Sequence, residues 1–139
     1  MRRIIILAGT LCIIAGCITH AKLAFHCDDN INQGLLLPVD IILISKGEEK
    51  NVLQIGYDAW FESEYRNNLP DTKLIKLALN NKEMRKVNID VSQKNEMIII
   101  FADYRDALEQ DAQQIIIYPQ KWRMKGAVRV GEKGLSIDR

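Results

Sequence analysis

Aromatic side chains are scarce in this chain, 6% of 139 residues, and its charges nearly cancel: nineteen Lys and Arg against eighteen Asp and Glu leave a net charge of +1. A chain with no bulk positive field lacks the long-range attraction that draws proteins to nucleic acid. The sequence has no glycine-rich phosphate loop, nucleophile elbow, His pair at zincin spacing or paired CxxC. The usual signatures of nucleotide, acyl-transfer and zinc chemistry are therefore missing. Internal repeats and low-complexity tracts are lacking as well. What the chain has is branched aliphatic material, twenty Ile, fourteen Leu and six Val. That is enough for the β-rich core of one small domain, in a chain too short for a multi-domain enzyme.

Long apolar runs are missing too. Met1, Arg2 and Arg3 precede Ile4 to Ile14, eleven uncharged residues interrupted by Gly9, Thr10 and Cys12. A membrane-spanning helix needs about 20 apolar residues, so this segment reads as the charged and apolar regions of a signal peptide. Ile14-Ala15-Gly16-Cys17 follows and resembles the bacterial lipobox, in which small residues enter the peptidase groove and the thiol accepts a diacylglyceryl group. The expected organisation is a lipoprotein signal peptide at 1–16, a lipidated tether at 17–21 and a folded domain at 22–139. More than one acyl chain on Cys17, at about 0.8 kcal/mol per buried methylene, anchors a protein stably. By resemblance to bacterial lipoproteins, Ile18 in place of Asp favours the periplasmic leaflet of the outer membrane. The tether's Ile18 to Ala21 keep the domain within roughly 15 Å of the lipid surface at about 3.5 Å per residue.

Removing 16 of 139 residues leaves 123, with seventeen basic and eighteen acidic side chains, because Arg2 and Arg3 go with the leader. Cys12 goes too and Cys17 is acylated, so Cys27 has no intramolecular partner. Its expected place is a buried core position on a strand. No cofactor is expected beyond the lipid on Cys17.

From Lys22, Leu23, Phe25 and Cys27 alternate with Ala24, His26 and Asp28, the period of a half-buried strand. A polar turn ending at Gly34 leads through Leu35–Leu37 and Pro38 into a core strand, Val39 to Ile44. Ser45 to Asn51 reads as a hairpin turn into a short strand, Val52 to Ile55. Tyr57, Trp60, Phe61, Tyr65 and Leu69 then fall at helical spacing, with Asp58 as N-cap and Pro70 past the end. This predicts one amphipathic helix whose aromatics pack on the sheet and whose Glu62 and Arg66 pair at a four-residue interval. Residues 71–81 suit a short helix or a buried strand, with helix preferred. Strands are expected around Val87 to Val91, Met97 to Ala102, Ile115 to Tyr118, and Val128 with Val130. The sum is a sandwich of two antiparallel sheets with a helical insertion between early strands.

Few residues suggest chemistry. His26, Cys27, Asp28 and Asp29 include metal-ligand types, but neighbours on a strand point to opposite faces and do not close on one ion. His20 reads as a solvated tether residue. Asp103-Tyr104-Arg105-Asp106, with Glu109 and Asp111 behind, offers either acid–base groups or, the preferred reading, a solvated loop with a local ion pair. Lys121, Arg123 and Lys125 around Trp122 and Met124 are too few for nucleic acid; they suit anionic head groups or a charged strand edge.

Taken together, these features resemble the TssJ (SciN-like) outer-membrane lipoproteins of the type VI secretion apparatus. The resemblance rests on the lipobox at Ile14 to Cys17, on Lys22-Leu23-Ala24-Phe25-His26-Cys27-Asp28-Asp29-Asn30-Ile31-Asn32 running to Gly34 and the Pro38-Val39 strand, and on Ile98 to Asp106. It covers most of residues 14–119. A Trp-Arg pair that the family places soon after the Arg-Asp turn comes here only at Trp122-Arg123. The resemblance implies a transthyretin-like two-sheet antiparallel β-sandwich with a helical insertion, no catalysis, and a role in tethering the secretion membrane complex to the outer membrane. It further implies that the loop between the first two strands, Asp29, Asn30, Ile31, Asn32, Gln33, Gly34, Leu35, Leu36 and Leu37, engages the periplasmic domain of a TssM-like inner-membrane partner. Leu35 to Leu37 are either interface anchors or the buried start of the next strand. Other readings are a pilotin-like assembly lipoprotein and a small periplasmic inhibitor or hydrolase using Asp103, Arg105 and Asp106.

Overall fold

Strict alternation after Ala21 makes a strand with one dry face. In the computed structural model, which describes residues 19–45, 47–91, 97–106, 109–118 and 125–138, this strand is β1 (Thr19–Cys27). Ala21, Leu23 and Phe25 are buried, while His20, Lys22 and His26 face solvent. β1 starts three residues before Lys22, so Thr19–Ala21 belong to the strand and not to a tether. Backbone pairing with the facing strand extends β1: Thr19 lies opposite Val91, and exposed His20 meets Asp90 Oδ1 through Nδ1 at 2.6 Å. With β4 (Met84–Val91), β7 (Lys125–Gly131) and β8 (Gly134–Asp138), β1 forms a sheet of order β4-β1-β7-β8. β1 is antiparallel to β4 but parallel to β7, so the expected antiparallel sandwich contains one parallel ladder. β7 arrives from the opposite sheet and not from a hairpin, which lets it enter from the same end as β1.

The second sheet, of order β3-β2-β5-β6, is antiparallel throughout. It comprises β2 (Leu37–Ile44), β3 (Leu74–Leu79), β5 (Met97–Ala102) and β6 (Gln114–Ile117). Its central strands read as long apolar runs, broken in β2 only by Asp40, because both faces are covered. Val39, Ile41 and Leu43 with Ile98, Ile100 and Ala102 meet the first sheet, while Ile42 and Ile44 with Met97, Ile99 and Phe101 meet a helical layer. Two apolar clusters thus share one sheet as their common wall.

The helical layer is the insertion between β2 and β3, with bounds that correct the sequence expectation. α1 (Glu49–Trp60) takes up the expected 52–55 strand, and α2 (Glu64–Asn68) holds only part of the expected 57–69 helix. Val52 and Trp60 are buried against the outer face of the second sheet, with Leu53, Ile55 and Tyr57 packed beside them. A helix buries such a set on one side, whereas a strand would split it between two. Gly56 (φ 75°, ψ 163°) breaks α1. Ser63 caps α2, its Oγ accepting from the Arg66 N–H at 3.2 Å; Asp58 lies within α1, where its Oδ1 accepts from the Ala59 N–H at 3.0 Å. Pro70 follows the end of α2, as expected. The Trp60 ring packs 5.5 Å from that of Phe101 on the sheet.

Residues 74–79 form a strand where the sequence favoured a helix. Ile75, Leu77 and Leu79 pack toward the inter-sheet core and Leu74 toward the helical layer. Pairing with β2 (Leu77 opposite Val39, Ile75 opposite Ile41) satisfies backbone groups that β2 would otherwise leave bare on that side. At the C-terminus one expected strand is two, β7 and β8, joined by a turn at Glu132 and Lys133. A short helix, α3 (Gln110–Gln113), precedes β6.

Candidate docking surface

β1 carries the chain from Thr19 at one end of the sandwich to Cys27 at the other, and the loop to β2 starts there. This loop is pinned from several sides. The Asp28 N–H donates to Val130 O (2.9 Å), the Lys82 N–H to Asp28 O (2.9 Å) and the Ile31 N–H to Asn81 Oδ1 (2.8 Å). The Ile31 side chain is fully buried in the core. A 3-10 turn follows, Asn32–Gly34, with three successive positive φ angles of 45°, 56° and 78°. Left-handed backbone costs a side-chain-bearing residue on the order of 1–2 kcal/mol, and Asn bears it best because its short amide bonds locally.

Asn32 does so on both sides. Its buried amide donates through Nδ2 to Leu36 O (2.9 Å) and accepts at Oδ1 from the Arg105 N–H (2.6 Å). Gln33 Nε2 donates to Asp106 Oδ2. The Gly34 N–H to Ile31 O (2.9 Å) and the Leu35 N–H to Asn32 O (3.1 Å) close the turn. Leu35 and Leu36 emerge from it 49% and 54% exposed, and Leu37 is fully buried as the first residue of β2. The alternatives for the leucine triplet therefore divide: two are open to a partner, and the third begins the strand. Asp29, Asn30, Gln33 and Gly34 are exposed around them.

The Asp103–Asp106 segment, remote in sequence, forms the other half of this surface. The Asp103 N–H donates to Pro38 O at 2.9 Å. Tyr104 is buried, its hydroxyl donating to Gly131 O at 2.9 Å, and burial pushes its phenol pKa up. In place of the expected local ion pair, Arg105 gives its backbone N–H to Asn32 and Asp106 its carboxylate to Gln33. Burial, and next the Glu62 carboxylate, raise the Asp103 carboxyl above its ordinary value. Met84, 61% exposed, opens β4 at the same end, paired with His26.

Cys27 is half-buried at the rim of the core and not enclosed in it, because its strand ends there. Burial, with the Glu83 and Asp28 carboxylates, pushes its thiol up to about 11. His26 is exposed. Among the described residues no three His, Cys, Asp or Glu side chains converge as a metal site would need. Cys17, and Lys121, Trp122, Arg123 and Met124 of the basic stretch, lie outside the described residues, and Lys125 opens β7.

Asp40 was not singled out in the sequence, although one carboxylate inside the Val39–Ile44 run was a signal. It is 1% exposed on β2, facing the helical layer. It accepts from Trp60 Nε1 at 2.8 Å and from Arg66 Nε and Nη2 at 2.5 and 3.2 Å. The Arg66 guanidinium lies over the Phe61 ring at 5.3 Å, and Asp40 raises its pKa further. Arg66 thus turns inward to Asp40 instead of pairing with Glu62. Asn32 was named only as one member of the loop; its side chain is the one that joins the two segments.

No family model matches the sequence, and no curated protein matches it. Solved structures do match the fold. The type VI lipoprotein TssJ1 from Pseudomonas aeruginosa aligns with a TM-score of 0.67 at 17% identity, covering 87% of this chain and 95% of that one. The fold is that of the type VI secretion lipoproteins. Serratia marcescens Lip, described as a membrane-bound component of the same system, aligns at a TM-score of 0.65 and 14% identity, over 87% of this chain and 98% of that one. A structure described as the TssM C-terminal domain (869–1107) from EAEC contains a chain aligning at 0.69 and 12% identity, over 88% of this chain and 99% of that one. The span 869–1107 is far longer than this whole chain, so the chain matched there is a shorter component of that structure.

Proposed function

We propose that this chain is a TssJ-like structural lipoprotein of a type VI secretion membrane complex. In this reading it is held through acylated Cys17 at the periplasmic face of the outer membrane and docks the periplasmic domain of a TssM-like inner-membrane protein. The observation that carries the reading is the placement of two poles. β1 begins two residues after Cys17 and delivers the chain, eight residues on, to the loop that exposes Leu35 and Leu36. At about 3.3 Å per residue the loop pole stands about 26 Å from the anchored pole. With Ile18 alone between Cys17 and the strand, the anchored pole sits within about 7 Å of the lipid attachment. Such a domain has almost no reach of its own and presents its open leucines away from the anchored pole, an arrangement suited to a fixed dock for a partner that crosses the periplasm.

Two further points support the reading. The fold is shared with type VI lipoproteins and with a chain in a TssM structure. The Asp106 carboxylate and the Arg105 backbone N–H brace the loop, which gives this segment a structural part in the proposed docking surface.

The experiment is capture of a TssM-like periplasmic domain by the acylated protein from cell envelopes. Wild type is expected to carry fatty chains on Cys17 by mass spectrometry and to retain the partner, whereas Leu35→Asp with Leu36→Asp stays folded and loses it. Retention of the leader sequence, or capture unchanged by both substitutions, would overturn the proposal.

A further inference from the structure

We infer that Asn32 is a positioning residue for partner capture: by bonding Leu36 and Arg105 at once, it holds the exposed Leu35 and Leu36 in one fixed arrangement for apolar contact with the partner. The inference rests on the docking role proposed above and specifies how that surface works. Asn32, Gln33 and Gly34 all sit in the left-handed region, and two of the three carry side chains that pay for this in steric strain. Such a turn persists only where its surroundings over-determine it. Here the surroundings are the Asp103–Asp106 segment: Asn32 Oδ1 takes the Arg105 N–H at 2.6 Å, and Asp106 takes the Gln33 amide. Nδ2 of Asn32 meanwhile holds Leu36 O at 2.9 Å, fixing the backbone of one of the two exposed leucines. Asn32 itself is only 6% exposed, so its side chain acts through the residues it bonds.

The chemistry of the occupant follows from what the loop presents. Exposed aliphatic side chains gain free energy where a partner's apolar surface covers them from water. The exposed charges on this end are mixed, Asp29, Asp103 and Asp106 with Lys82, Arg85, Arg105 and Arg129, so apolar contact and not net charge defines the matching site on the TssM-like periplasmic domain. A loop already in its bound shape avoids the ordering cost of association. Losing the latch lowers the fraction of molecules in the competent shape and so lowers the apparent on-rate, whereas losing a leucine contact chiefly raises the off-rate.

That kinetic split is the test. The full acylated chain in detergent is measured by surface-based kinetics against the partner's periplasmic domain, with thermal unfolding recorded for each variant. Asn32→Asp, which keeps an acceptor for Arg105 and loses the donor to Leu36, and Asp106→Ala, an exposed change that leaves the loop backbone untouched, are both expected to slow association with little change in the off-rate. For Asn32→Asp the loss is expected to be about tenfold, and for Asp106→Ala smaller. Leu36→Ala should act mainly on the off-rate. Should Asn32→Asp fail to fold, Asp106→Ala and amide exchange at Gly34 and Leu35 carry the decision, with faster exchange expected. Wild-type kinetics in both latch variants, or a loss confined to the off-rate, overturns the inference while leaving the docking role intact. If binding is also indifferent to Leu35→Asp and Leu36→Asp, the docking role itself fails.

Discussion

Asp40 is a charge placed where the sequence calls for an aliphatic side chain. On β2, between Val39 and Ile41, its carboxylate is 1% exposed and answers the indole N–H of Trp60 and the guanidinium of Arg66. Removing one member of a buried pair leaves the other without its partner, which costs more than the pair contributes. Asp40→Ala is therefore expected to destabilise the domain by about 3 kcal/mol, somewhat offset because Arg66 can turn to water. Urea unfolding checks it, and Asp40→Ala combined with Arg66→Met should recover part of the loss. If the single substitution proves neutral, the clamp between sheet and helices is only decorative.

At the scale of elements, the helical insertion depends on two features of local chemistry. Gly56 breaks α1 at φ 75°, ψ 163°, a region essentially reserved for glycine, and a Cβ there would meet Asp58 Oδ1 at 3.0 Å. Gly56→Ala should cost about 1–3 kcal/mol, read as a lowered Tm with the sheet's spectroscopic signature intact. Glu48, just ahead of α1, accepts from Lys73 Nζ at 2.9 and 3.1 Å and from Ser45 Oγ and N–H at 2.7 and 3.1 Å. It thereby ties the end of β2 to the approach to β3. These bonds, Lys73 first, lower its pKa from 4.5 to about 2. A carboxyl depressed on folding contributes stability at pH above 4.5, and the contribution is lost as pH falls from there through about 2. Because the pair is partly solvated, the expected effect is under about 1 kcal/mol. A melting series from pH 6 to pH 2 should show Glu48→Gln with a shallower acid decline than wild type.

For the whole molecule, the separation of the two ends of β1 predicts that, in the proposed role, attachment and docking are independent. Cys17→Ser should move the protein from the membrane to the soluble fraction while leaving affinity for the partner's periplasmic domain within about twofold, as expected for sites far apart with no shared contacts. Fractionation and solution binding on the same variant check it. A large fall in affinity would mean that the anchored end takes part in the interface. The separation arises because β1 is a single nine-residue strand, with Thr19 at one end and the approach to the Asn32 turn at the other.

How much of this was legible in the residues depended on the range of the forces involved. Alternation in Ala21 to Cys27 and in Val87 to Val91, the apolar run of Met97 to Ala102 and that of Ile41 to Ile44 were sufficient for the β-rich class, because a strand's side-chain period is a property of its own backbone. The sequence by itself also determined the helical insertion before Pro70, the exposed loop between the first two strands, and the order of motifs that resembles the type VI lipoproteins. Tertiary structure alone decided the rest. Residues 74–79 became a strand because β2 needed a partner on that side, and Val52 to Ile55 became helical because the outer face of the second sheet needed a cover. Asn32 and Gln33 became tied to the Asp103–Asp106 segment only once folding brought Arg105 and Asp106 to them. Such bonds join residues seventy or more positions apart, and no local pattern can encode them, since each partner is ordinary until the chain places the other within 3 Å.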